Sequence, residues 1–152
     1  MELFQSIEKD LLMSLRERQK EKTAVLRMLK TSLKNFAIAK RIPESSLTDE
    51  QVLGVVRQEV KKRKESIAAF TSGARTDLAD KERRELGMLG VYLPPAMSDA
   101  ELRALIASVV EEEKLSAPFQ FGRLMGLVVK KASGRADGEL IKQAVQSFVN
   151  TP

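Results

Sequence analysis

Cysteine, histidine and tryptophan are all missing from this 152-residue chain. Without cysteine there can be no disulfide, no thiolate nucleophile and no zinc site built on sulfur. Without histidine the Ser-His-Asp and Cys-His arrangements fall away, as does imidazole general-base chemistry near neutral pH. The two absences together remove nearly every transition-metal site, so no resident metal and no cofactor is expected. Aromatic residues are scarce too, with six Phe and one Tyr. Most of the Phe residues fall on apolar helix faces, so stacking of exposed bases on aromatic rings is not supported.

No run approaches the ~18 consecutive apolar residues that a membrane helix requires. The first residues, MELFQSIEKD, lack a basic segment followed by an apolar one, which is the pattern of a secretory signal. The sequence therefore predicts a cytoplasmic protein without membrane association.

Apolar residues make up 43% of the chain, enough for one domain or two small ones. Their spacing is helical throughout. Phe4, Ile7, Leu11, Leu12 and Leu15 predict a first helix, and Val25, Leu26, Leu29, Leu33 and Phe36 a second, which Pro43 terminates. Thr48 and Gln51 form a capping box before a third helix striped by Val52, Val56, Val60, Ile67 and Phe70, with Leu47 and Val52 as its hydrophobic staple. A fourth helix is predicted from about Arg75 through Leu78, Leu86 and Leu89 to Tyr92, and Leu93-Pro94-Pro95 stops it.

A second capping box, Ser98 to Glu101, opens a fifth helix, and Ser116-Ala117-Pro118 a sixth. Gly134-Arg135-Ala136-Asp137-Gly138 reads as a tight turn in which Asp137 caps a last helix bearing Leu140, Ile141, Val145 and Phe148. No segment alternates as a strand would. The predicted fold is all-α, an N-terminal helical bundle over 1–95 followed by a smaller three-helix domain over 96–152.

The formal charge is +5. Residues 1–95 hold 19 Lys and Arg against 14 Asp and Glu, a net of +5, whereas 96–152 hold 7 against 7. A basic excess on a helical protein suggests a polyanionic partner, with nucleic acid first, although a solvated face explains it as well. Arg27, Lys30 and Lys34 share one side of the second helix. In the run Lys61-Lys62-Arg63-Lys64, ~100° per residue turns Lys61 and Lys62 outward and sets Arg63 and Lys64 beside the apolar seam. If the stripe and Lys61/Lys62 share a surface, five cations face phosphate there. Lys130, Lys131 and Arg135 form a second basic group around the glycine-flanked turn.

Glu82 and Glu85 lie on the arc of Leu78 and Leu89 and are expected to meet Arg63, Lys64 or Arg75 in partly buried ion pairs. The alternative is a paired-carboxylate acid–base or magnesium site, which would need a third ligand or a phosphate-binding loop. Neither GxGxxG nor GxxxxGK[ST] is present. Gly122, Met125, Gly134 and Asp137 are assigned to turns and helix packing.

Several of these pieces occur together in one known family. Leu26-Arg27-Met28-Leu29-Lys30, Lys61 through Ser66, Arg75 with Asp77-Leu78, Glu82 and Glu85, Tyr92-Leu93-Pro94, Gly122 with Met125-Gly126, and Gly134 to Gly138 are similar to the YqeY-like proteins. That family is related to the tail of the GatB subunit of glutamine-dependent aminoacyl-tRNA amidotransferase. The resemblance implies a helical bundle joined to a small helical tail domain and a tRNA-holding role, mapped onto Gly134, Arg135 and Ala136. Nine positions separate Met125 from Gly134, a spacing longer than that of the amidotransferase tail by about one helical turn.

Three functions follow as expectations. The first is a non-catalytic tRNA-binding accessory module of translation. The second is an adaptor docking on amidotransferase subunits, a tRNA synthetase or the ribosome. The third is a carbon–nitrogen ligase with glutamine as amido donor, which the family label suggests and for which no catalytic residues are assigned.

Overall fold

The computed structural model describes residues 2–151, and among these every regular element is helical. The chain divides into two compact units, Met1–Leu93 and Pro94–Pro152.

The first unit contains α1 (Glu2–Arg16), α2 (Lys20–Lys40), a 3-10 turn at Glu44–Ser46, α3 (Asp49–Ser72) and α4 (Thr76–Gly90). Its core is built from the stripes of all four helices, with Ile7, Leu26, Leu29, Leu33, Val52, Val56 and Leu89 buried together. The N-terminus of α3 is made as its sequence dictates. Thr48 Oγ1 accepts from the Gln51 backbone N–H at 3.2 Å, and Gln51 Oε1 accepts from Thr48 N–H at 3.0 Å. Leu47 and Val52 are fully buried beside this cap. The helix thus begins with two otherwise orphan donors satisfied and its entry angle pinned.

The α1 stripe departs from the sequence reading. Leu12 is 57% exposed and Leu15 43%, and the buried face runs instead through Phe4, Ile7 and Ser14. Ser14 and Thr23 bond to each other at 2.8 Å inside the α1–α2 contact. Ser14 Oγ donates to Leu11 O at 2.7 Å and accepts from Thr23 Oγ1, so the seam holds a polar pair with no donor left unpaired.

The second unit is a three-helix packing of α5 (Asp99–Glu112), α6 (Phe121–Ala132) and α7 (Gly138–Asn150). Leu102, Ile106, Val109, Leu124, Val128, Ile141 and Val145 form its core. Ser98 caps α5 by accepting from Glu101 N–H at 3.1 Å. The reciprocal half of the expected capping box is replaced, because Glu101 Oε2 accepts from Arg135 Nη2 at 3.1 Å. Helix α6 starts at Phe121 rather than at Pro118, since Gln120 is still extended. Leu140, expected on the apolar face of α7, is 50% exposed, whereas Ile141 beside it is buried.

Candidate functional site

In the first unit, α2 and α3 run antiparallel, which puts Met28 beside Arg63 and Ser32 beside Glu59. Arg63 is the centre of a buried charge cluster. Its Nη1 lies 3.3 Å from Glu59 Oε2, and its Nε lies 3.4 Å from Glu85 Oε2 on α4. The latter contact is within ion-pair range but lacks hydrogen-bond geometry, so the buried Nε–H has no acceptor. Its Nη2 lies 3.3 Å from Met28 Sδ.

Arg63 and Glu59 are each 5% exposed. Ser32 Oγ donates to Glu59 Oε1 at 2.9 Å, and Lys62 Nζ reaches the same oxygen at 3.3 Å from the solvent side. A cavity of about 280 Å³ opens beside these groups and is also lined by Glu82.

Sequence reasoning placed Arg63, Lys64, Arg75, Glu82 and Glu85 in one ion-paired group. The structure brings Arg63 and Glu85 together and leaves out the other three. Lys64 is exposed, because it stands one position, or ~100°, around the helix from Arg63. Arg75 pairs locally with Asp77 at 3.3 Å, and the Asp77 hydrogen bond raises the Arg75 pKa above its ordinary value. Glu82 forms no ion pair among the described residues, although it faces the cavity. Glu59 was missed. Its signal was the i,i+4 spacing to Arg63 between the core residues Val56 and Val60.

The proposed phosphate-contacting cations fall into two kinds. Arg27, Lys34, Lys61 and Lys130 are exposed, with no side-chain partner among the described residues. Lys30 pairs with Glu8 at 3.2 Å, Lys62 with Glu59, Lys131 with Glu112 at 2.9 Å and Arg135 with Glu101. The Glu112 hydrogen bond holds the Lys131 pKa above its usual value, and Lys131 in turn lowers that of Glu112.

Lys30 turns toward Glu8 on α1, and Arg27 and Lys34 share its side of α2. Ser32, which meets α3, lies about 200° around the helix from Lys30. The stripe and Lys61/Lys62 therefore flank α2 from different sides and do not merge into the single surface considered from sequence.

In the second unit Arg135 is committed to the turn itself. Its Nε donates to Pro95 O at 3.1 Å, and its own carbonyl accepts from Met97 N–H at 2.8 Å. Gly134 has φ 77°, a left-handed backbone suited to glycine, and Asp137 caps α7 by accepting from Glu139 N–H at 3.2 Å. Met125 packs half-buried against the core. Gly122 is exposed, and a Cβ there would meet no atom within 4 Å, so close packing does not account for it. A groove of about 800 Å³ lies between α5 and α7, lined by Leu102, Ile106, Phe119, Leu140 and Phe148 among others.

A profile of the Yqey-like protein family matches residues 4–149, nearly the whole chain. The chain belongs to the YqeY-like family. It is similar to a Pyrenophora tritici-repentis protein named altered inheritance of mitochondria protein 41, mitochondrial, at 28% identity over 149 residues, covering 94% of this chain and 78% of the relative. It is also similar to the uncharacterized protein C22F3.15 of Schizosaccharomyces pombe, at 37% identity over 93 residues, 61% of this chain and 73% of the relative. As a YqeY-like protein, the chain combines an all-helical architecture with a buried Glu59–Arg63–Glu85 cluster in its first unit. Among the described residues no helix is long and apolar enough to cross a membrane, and no group of acids is placed to hold a metal ion.

Proposed function

We propose that this YqeY-like protein is a non-catalytic, tRNA-binding accessory module of translation that works in the cytoplasm. The observation that carries this reading is the pair Arg27 and Lys34, exposed and unpaired seven positions apart on one side of α2, in the half of the chain that holds the whole charge excess. Lys61 adds an unpaired cation on α3.

Lys30 and Lys62 remain usable, because their side chains are 40% and 68% exposed. An ion pair exposed on both sides, as Lys30–Glu8 is, contributes only about 0–1 kcal/mol, so phosphate can replace Glu8, whereas Glu59 is buried and Lys62 offers phosphate its remaining donors. Contacts of this kind hold the nucleic-acid backbone and its shape rather than reading bases. Arg135 stabilises the turn in this scheme, and Lys130 is the free cation beside it.

The test is binding of the purified protein to total tRNA across a salt series, with an unstructured RNA of equal length as competitor. Preference for tRNA with a log affinity falling linearly in log salt is the expected result. Equal binding to both RNAs, or none, overturns it.

The groove between α5 and α7 favours a second reading, an adaptor that docks on amidotransferase subunits, a tRNA synthetase or the ribosome. About 800 Å³ lies within the ~300–1,000 Å³ typical of binding clefts, and the half-exposed Leu140 sits on its rim. Under this reading a defined one of those partners co-purifies after nuclease treatment, and Leu140→Asp abolishes its capture.

A further inference from the structure

Helix α3 turns a further group of cations away from the core. Arg57, Lys61 and Lys64 stand at i, i+4 and i+7, which at ~100° per residue places them within an arc of about 60° on the side away from Val52, Val56 and Val60. None of the three has an ion pair or hydrogen bond among the described residues. The stripe on α2 differs in that respect, because Lys30 at its centre is held by Glu8. Two acids border the arc. Glu50 lies in the first turn of α3, where the helix N-terminus offsets its charge, and Glu65 is exposed and forms no ion pair among the described residues.

Arg57 is the unusual member of the group. It is half-buried, and its Nε is cut off from water without an acceptor. Its terminal nitrogens also lack a partner among the described residues, but they are open to water. A guanidinium held partly out of water without a counter-charge is costly, and an oxyanion beside it offsets that cost. The packed stem also fixes the guanidinium in place, so less side-chain freedom is lost when it takes a partner. Its planar fork of donors matches the oxygens of a phosphate bidentately. Lys61 and Lys64 are exposed point charges that continue from this anchor over about 10 Å of helix.

The form of the polyanion follows from the rest of the arc. Residues 50–68 contain no aromatic side chain, so this face offers no platform for the unstacked bases on which single-strand binding depends. A Cβ added to Gly54, on the same side, would meet no atom within 4 Å, so the surface beside Arg57 and Lys61 is open. Cations set in a row on a rigid helix fit phosphates that are themselves held in a fixed array. A paired RNA stem supplies such an array, with its bases stacked out of reach and its backbone and shape left to be recognised.

We propose that Arg57, Lys61 and Lys64 form a track along α3 for the phosphate backbone of a paired RNA stem, with Arg57 as its anchor. The track rests on the nucleic-acid reading above. It adds to that reading a face of α3, the form of RNA which that face takes, and two contacts, Arg57 and Lys64, outside the set of phosphate-contacting cations read from sequence.

The test is filter binding of the full chain, over a salt series, to a short blunt RNA duplex, to total tRNA and to a single-stranded oligouridylate with as many nucleotides as the duplex. The duplex and tRNA are expected to bind, and the single strand about tenfold more weakly or less. Changing Arg57, Lys61 and Lys64 together to glutamine should weaken duplex binding about tenfold or more and flatten the salt dependence by roughly three phosphates' worth of slope. Arg57→Lys keeps the charge and loses the fork, so the slope should stay while the affinity falls several-fold. Glu65→Gln should tighten binding by removing an acid from the border of the track. The double change Lys61→Gln, Lys64→Gln touches only exposed side chains and so tests the track without disturbing the packing around Arg57. Circular dichroism with a thermal melt checks the fold of each variant. Equal or tighter binding of the single strand, or wild-type affinity and slope in the folded double variant, overturns the proposal, and tRNA binding by the unaltered chain then leaves the accessory-module reading standing. Failure of the unaltered chain to bind any of the three RNAs overturns both.

Discussion

Replacing Arg63 with alanine leaves Glu59 and Glu85 facing each other below the surface with only Lys62 to offset them. Breaking a buried ion pair from one side costs about 3–5 kcal/mol, whereas replacing the set with apolar groups of similar volume is often near neutral. Arg63→Ala should therefore lower the unfolding free energy by about that amount, and the triple change Glu59→Leu, Arg63→Met, Glu85→Leu by less, as read by urea denaturation of both variants. A triple variant weaker than the single one would show that the charges stabilise the unit outright. Sequence alone pointed to Arg63 and Glu85 because each is a charge on a core-facing arc. It did not point to Glu59, whose neighbours Val56 and Val60 already filled the stripe, so the acid between them passed for a solvated residue. Exposure of Lys64 and the local pairing of Arg75 were equally hidden, since both depend on which neighbour a flexible side chain reaches first.

Helices differ in how far their ends and faces could be read. The α3 cap is fully local, with its residues, its partners and its staple all within six positions, and it was legible for that reason. Thr48→Ala should cost about 1 kcal/mol in chemical denaturation, the usual loss for an N-cap. The α1 face was not legible, because Ser14 sits in the seam by donating to Leu11 O on its own helix and bonding Thr23 on the neighbouring one, and the second contact needs the packing to be known. The same limit applied to Tyr92, which is buried at the end of α4 and donates to Asp10 Oδ2 on α1 at 2.6 Å. Burial, followed by the Asp10 carboxylate, pushes the Tyr92 phenol well above its ordinary pKa of 10.0. A folded-state pKa raised above the unfolded one gives a contribution fully present below the unfolded value and lost as pH rises through the folded one. The first unit should thus lose stability above about pH 10, and Tyr92→Phe should abolish the Tyr92 share of that loss. With one Tyr and no Trp in the chain, phenolate absorbance tracks the ionisation directly.

At the scale of the molecule, charge rather than shape distinguishes the two units. All-helical architecture was readable from the 3.6-residue period, which no strand pattern contradicted. The sum of charges was readable too, but its partition was not, since Lys30, Lys131 and Arg135 are paired with acids far along the chain, and Lys62 with Glu59, one turn back on its own helix, an acid the sequence had not singled out. Reversing Arg27 and Lys34 to glutamate should weaken tRNA binding and flatten its salt dependence by roughly two phosphates' worth of slope. Lys131→Glu should leave the slope nearly unchanged, and filter binding over a salt series measures both. The Glu59–Arg63–Glu85 cluster also bears on how such a chain can diverge. Loss of Arg63 alone leaves two buried carboxylates facing only Lys62, whereas loss of either acid leaves Arg63 with one partner, so a lineage can give up the arginine only after or together with changes at Glu59 and Glu85. Across YqeY-like sequences, an arginine at position 63 should persist wherever an acid stands at 59 or 85, and should be lost only where both acids are gone.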